Sequence, residues 1–163
     1  MKKISLHHND IFPFTICLAI PLLAGFIGSI FTTPEIDVWY STLIKPSFNP
    51  PSWVFGPVWT ILFLMMGISL FVVWKSKSSR ERNEAFVMFA IQLIFNVLWS
   101  FLFFYAHLLL WSLIEILVLL NLIALTIKSF GRISRQAALL LLPYWVWVLF
   151  ASFLTYSNWR LNW

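Results

Sequence analysis

The chain has 163 residues, 61% hydrophobic, 19% aromatic and 10% charged, with a formal net charge of +5 and a mean hydropathy of +0.87. Soluble domains carry about 25% charged residues, so this composition excludes a water-soluble fold and makes lipid the main covering of the surface. Nucleic acid is not expected as a partner, despite the net +5.

Charge-free stretches long enough to cross a hydrocarbon core of about 30 Å fall at 11–31, 55–74, 85–105, 109–127 and 136–156. Lipid offers the backbone no hydrogen-bond partner, so each is predicted to be a helix. The fold class is an all-α membrane protein, a single domain over 1–163 built as a bundle of five transmembrane helices. The first stretch, Ile11 to Phe31, is longer than the apolar part of a signal peptide, and no A-x-A cleavage sequence follows it, so it is expected to be retained. It holds the single cysteine, Cys17. One cysteine builds no disulfide framework, and His7, His8 and His107 have no metal-ligand spacing with it, so no metal is expected.

The connection 32–54 holds Pro34, Pro46, Pro50, Pro51, Trp39, Tyr40 and Trp53. A loop of that length is a lid over a site or a disordered segment, and its aromatic content favours the lid. In the third stretch Gln92, Asn96, Trp99, Ser100 and Phe103 recur at helical spacing and share one face. Amides in hydrocarbon are costly unless bonded, so this face turns into the bundle. Gln92 reads as interhelical glue and Asn96, one turn from Trp99, as a ligand contact. The fourth stretch carries Glu115, the only acid inside any span, about 9 Å from the helix end by the helical rise. An intramembrane acid is a functional candidate by default, and a protonated carboxyl bonded to a neighbouring helix is the competing role. In the fifth, Tyr144, Trp147, Ala151 and Leu154 share a face, and Pro143 loosens the turn before them. Leu154, Tyr156 and Arg160 also satisfy the cholesterol pattern L/V-x1-5-Y-x1-5-K/R, a weak one.

Alternating the connections across a membrane puts Lys2, Lys3, Lys75, Lys77, Arg80, Arg82, Lys128, Arg132 and Arg135 on one side and only Lys45 and Arg160 on the other. The positive-inside rule then places the amino terminus in the cytoplasm and the carboxyl terminus outside. The asymmetry suits a bacterial cell membrane and leaves a mitochondrial one open. On this topology an outer interfacial belt accounts for Trp39, Trp111, Trp159 and Trp163. Trp59, Trp99 and Trp147 lie deeper and suggest a cavity wall of flat rings, open toward the outer leaflet. There is no internal repeat of the kind many transporters use. Nor is there a Ser/His/Asp order, a phosphate-cradling Gly loop or a carboxylate pair, so no ordinary catalytic motif is present.

The segments Trp39-Tyr40, Lys45-Pro46, Pro50-Pro51-Ser52-Trp53-Val54-Phe55-Gly56-Pro57-Val58-Trp59-Thr60, Gln92 with Asn96 and Trp99-Ser100, and Pro143-Tyr144 with Trp147, Phe150-Ala151, Leu154 and Asn162 resemble the TspO/MBR family. This is the family of tryptophan-rich sensory proteins and the mitochondrial translocator protein, the peripheral-type benzodiazepine receptor. The resemblance covers the whole chain. It implies five helices and a pocket closed by the first loop, binding tetrapyrroles such as protoporphyrin IX or haem, sterol-like lipids, and benzodiazepine-site drugs such as PK11195. By position it implies ligand contacts at Tyr40, Pro46, Trp59, Phe63, Asn96, Trp99, Glu115, Trp147, Ala151 and Leu154. Light- and oxygen-dependent porphyrin degradation involving Trp59 and Trp147 is an alternative it leaves open, as are porphyrin or lipid transport and a homodimer. Thr155 stands where many members have Asn, the Pro often found before the fourth helix is missing, and the third helix has no GxxxG to supply a dimer interface.

Overall fold

The computed structural model describes residues 10–163; Lys2, Lys3, His7 and His8 lie outside the described residues. Five long helices account for most of it: α1 (Ile11–Thr32), α2 (Phe55–Trp74), α3 (Arg80–Ser100), α4 (Leu109–Ile133) and α5 (Arg135–Leu161). No strand occurs among the described residues. All five helices are long and apolar enough to cross a membrane, and the chain is a multi-pass membrane protein.

Several helices run past their charge-free windows. α3 begins at Arg80 rather than Ala85, α4 continues to Ile133 and α5 to Leu161. Charged residues end a hydrocarbon-length window but not a helix, and local caps decide the real ends. The Ser79 hydroxyl accepts from the Arg82 N–H at 3.2 Å, and Ser134 accepts from Ala137 at 3.4 Å, satisfying otherwise orphaned first-turn donors. At its far end α3 widens into five π-helical residues, Phe101–Tyr105, closed by Ala106 N–H donating to Phe101 O at 2.9 Å.

The helices close into a ring in the order α1, α2, α5, α4, α3, each packing on the two beside it. Sequence neighbours α1 and α2 touch, as do α3 and α4, and α4 and α5, while α5 returns to close against α2. The basic residues Lys75, Lys77, Arg80, Arg82, Lys128, Arg132 and Arg135 gather at one end, where Lys75 pairs with Asp10 at the start of α1 at 2.7 Å. The half of the bundle nearest that end is solid. Met66, Val73, Ala85, Phe130 and Ala137 are fully buried there, Phe89 stacks on Phe130 at 5.7 Å, and Ser69 donates to Ala137 O at 2.8 Å across the α2–α5 seam. Gly67 lets α1 approach so closely that a Cβ there would sit 2.8 Å from the Leu18 Cα.

Candidate functional site: a cavity under the first loop

The other half of the ring is hollow. A cavity of about 390 Å³ lies between α1, α2, α3 and α5, beneath the first loop, within the range of small-molecule sites. Its walls are rings. Trp59 and Phe63 stack at 5.4 Å on α2, Trp99 and Phe103 stack at 5.0 Å on α3, and Trp147 faces them from α5. The π-helical end of α3 explains how two consecutive residues, Phe103 and Phe104, both reach the cavity. The wider turn shifts the face by about a residue.

The wall from α1 is made of small residues. Gly25, Gly28, Ser29 and Thr32 line the cavity, and a Cβ on Gly25 would overlap the Phe63 ring. Phe26 lines the cavity yet is 64% exposed, and Ser29, Gly56 and Thr60 are exposed as well. The cavity therefore opens sideways between α1 and α2, toward the lipid.

The loop forms the roof. It folds as short 3-10 turns at Thr33–Glu35, Tyr40–Thr42 and Ser52–Val54. Tyr40 is buried and its hydroxyl donates to Asn49 Oδ1 at 2.8 Å. Burial pushes the Tyr40 hydroxyl above its ordinary pKa, and the Asn49 bond offsets part of that, so it remains a donor at neutral pH. Several contacts hold the roof to the bundle, the rings of Trp39 and Tyr40 on Phe103 among them. Asn162, at the end of α5, accepts from the Ile44 N–H and donates to Ile44 O, both at 2.9 Å. His107, in the α3–α4 connection, stacks on Trp39 at 4.2 Å and lies 3.2 Å from a Glu35 carboxylate oxygen. His107 holds a left-handed φ of 57°, uncommon for a side chain of its size.

The floor is polar. Asn96 Nδ2 donates to the Tyr144 hydroxyl at 3.1 Å, and that hydroxyl donates to Gln92 Oε1 at 2.9 Å, both bonds buried. They join α3 to α5 across the ring. Several buried polar atoms carry no hydrogen bond: on the cavity walls Trp99 Nε1, Trp147 Nε1 and Asn158 Oδ1, and on α4 both oxygens of Glu115. Unbonded buried donors and acceptors are costly. At a cavity wall they mark places where a ligand can bond.

Of the positions implied by the resemblance, Tyr40, Trp59, Phe63, Asn96, Trp99, Trp147, Ala151 and Leu154 line the cavity. Glu115 does not. It is buried, 6% exposed, but α4 stands on the far side of the ring and contributes no residue to the cavity wall. Pro46 is also off the wall, in the part of the loop docked on α5 beside Ile44, where its carbonyl accepts from Asn49 at 3.0 Å. The cholesterol pattern divides. Leu154 faces the cavity, whereas Tyr156 and Arg160 are exposed, because a two-residue step turns a side chain to the opposite face of a helix. Thr155 and Asn158 line the cavity without having been singled out as contacts. Asn158 falls four residues past Leu154 on the same face, a spacing visible in the sequence. Among the described residues no group of His, Cys, Asp and Glu could hold a metal ion.

Residues 17–160 match the TspO/MBR family. The chain belongs to that family. It is 45% identical over 159 residues to a tryptophan-rich protein TspO of Chlorobaculum tepidum, covering 95% of this chain and 99% of that one. It is 37% identical to the human translocator protein, over 87% and 85% of the two chains. To a tryptophan-rich sensory protein of Cereibacter sphaeroides it is 35% identical, over 78% of each. The family match runs from α1 into α5 of this TspO/MBR chain.

Proposed function

We propose that the protein is a membrane receptor or sensor that takes a flat hydrophobic molecule into the cavity, a tetrapyrrole such as protoporphyrin IX or haem foremost. Sterol-like lipids and benzodiazepine-site drugs such as PK11195 are further ligands of the same site. The observation that carries this reading is the cavity wall: three indoles from three helices, two with buried N–H groups that no protein atom accepts. Flat rings offer stacking over a large area, and the N–H groups give a ligand's acceptors a direction. The opening between α1 and α2 suits a ligand that arrives dissolved in the bilayer. Its orientation has the basic end in the cytoplasm, by the charge asymmetry, and a bacterial cell membrane as its location.

Titration of protoporphyrin IX into the purified protein in detergent, followed by tryptophan fluorescence, tests the placement. A Trp59→Ala, Trp147→Ala double variant is expected to lose at least a hundredfold in affinity, about 3 kcal/mol from two stacked rings. Unchanged affinity would remove the ligand from this cavity. A second reading is favoured by Trp59 and Trp147 facing one cavity with no acid–base pair beside them: light- and oxygen-dependent breakdown of the bound porphyrin. Binding alone gives a reversible spectral change. Breakdown gives a new pigment that accumulates only in light and is absent from Trp147→Phe.

A further inference from the structure

Lipid offers no hydrogen bonds, so the outward face of a membrane helix is apolar along its middle. α1 turns Ile16, Ile20 and Leu23 outward, and α5 turns out Leu142, Val146 and Phe153. α4 breaks the pattern. Asn121, the middle residue of Leu109–Ile133, is exposed. Its Nδ2 donates to Leu117 O at 2.7 Å, which uses one amide hydrogen. Among the described residues nothing bonds the other amide hydrogen or Oδ1. The nearest charge on this face is Lys128, about 10 Å along the helix, so a side chain as short as Asn does not reach water. An amide left half-bonded in hydrocarbon is costly.

The residues around it form a seam. Leu110, Ile114, Leu117, Asn121, Ala124 and Lys128 are all exposed and follow one another at alternating steps of four and three. That spacing keeps one stripe facing a parallel partner helix, and a single polar residue in such a stripe fixes register and the number of copies. Ala124, one turn from Asn121, leaves room for a second backbone to come close. Lys128 ends the seam where its long stem carries the ammonium into water.

We propose that this face of α4 is the surface on which a second copy of the chain docks, with the two Asn121 side chains bonded to each other across a twofold axis along the membrane normal. The occupant must give and receive a hydrogen bond at the depth of Asn121, which an acyl chain does neither of. A second copy inserted in the same direction carries the same amide at the same depth. Each Nδ2 then donates its spare hydrogen to the other Oδ1, and both keep their bonds to Leu117 O. The ring order sets α4 directly across from the gap between α1 and α2, and α4 contributes nothing to the cavity wall. Pairing through α4 thus leaves both cavities open to lipid on the outer flanks of the dimer.

Energy transfer between full-length copies carrying donor or acceptor dye at the carboxyl terminus, in phosphatidylcholine vesicles over a range of protein-to-lipid ratios, measures association. The wild type is expected to pair as the ratio rises. Asn121→Leu is expected to need about tenfold more protein per lipid, the worth of two interhelical bonds of average strength, and Asn121→Gln, which keeps the amide, to stay near the wild type. Leu suits lipid, so the melting midpoint of Asn121→Leu in dilute detergent is expected not to fall, which separates lost pairing from unfolding. In a Cys17→Ala background, Leu117→Cys is expected to give a disulfide-linked dimer on oxidation and Ile20→Cys, on the outward face of α1, to give none. A wild type that stays monomeric at every ratio would overturn the proposal and leave the face to a different membrane protein. Asn121→Leu pairing at the wild-type ratio, or equal cross-linking through Ile20→Cys, would overturn it as well. None of these outcomes bears on the cavity as the ligand site.

Discussion

The two halves of this bundle are built from the same five helices and similar side chains, yet one is filled and the other is empty. At the basic end Met66, Phe71, Val73, Phe89, Phe130 and Leu141 are buried to 2% exposure or less. At the loop end the helices stand around a cavity, and Trp59, Trp99 and Trp147 are only partly buried. In lipid, apolar surface gains little by leaving its solvent, so helices associate through packing and hydrogen bonds. The solid half supplies that packing. The hollow half gives up contacts and is compensated by cross-ties at its two limits: Asn96–Tyr144–Gln92 below, and Asn162 and His107 above. A site inside a membrane bundle is thus a division of labour along the helix axes.

An added methyl group ought to tell the halves apart. Gly67→Ala places a Cβ against the Leu18 backbone in the solid half, where nothing can move aside without parting α1 from α2. The expected cost is about 3 kcal/mol, at the upper end for overpacking, read as a lower denaturation midpoint in mixed detergent. Gly25→Ala in the hollow half meets the Phe63 ring first, a side chain that has the cavity to turn into. Its stability loss should be about 1 kcal/mol or less, while protoporphyrin affinity falls about tenfold as the ring takes up ligand space. Equal stability losses would erase the distinction between the halves.

The roof should respond in rate rather than in stability. His107→Gly removes the stack on Trp39 and the contact with Glu35 while suiting the left-handed backbone at that position. Relief of strain of about 1 kcal/mol offsets the lost contacts. The melting temperature is then expected to change little and ligand dissociation, by stopped-flow fluorescence, to quicken several-fold. A dissociation rate equal to wild type would show that the loop does not gate the cavity.

Much of this was legible beforehand, and for physical reasons. Membrane helices announce themselves as charge-free runs, and the amides and indoles of α3 and α5 recur at helical spacing, so both cavity-facing stripes could be drawn from residues such as Asn96, Trp99, Trp147 and Ala151. The α1 wall could not. Gly25, Gly28 and Ser29 carry no large group to mark a face, and their part in the cavity comes from what they leave out. Glu115 shows the opposite difficulty: its depth in α4 was readable, but the ring order that sets α4 away from the cavity lies in contacts between distant segments. Asn158 had the right spacing and was overshadowed by its apolar neighbours.

The order in which the helices close the ring has a consequence for how the protein is made. α2 leaves the ribosome early and finds α1, but its other neighbour is α5, the last helix synthesised. Until α5 arrives, the chamber lacks the wall that bears Trp147, Ala151 and Asn158 and lacks Tyr144 from its floor. The closed chamber is therefore the final feature the nascent chain acquires. A ligand that bound only the closed ring would favour completed molecules over partly assembled ones by mass action.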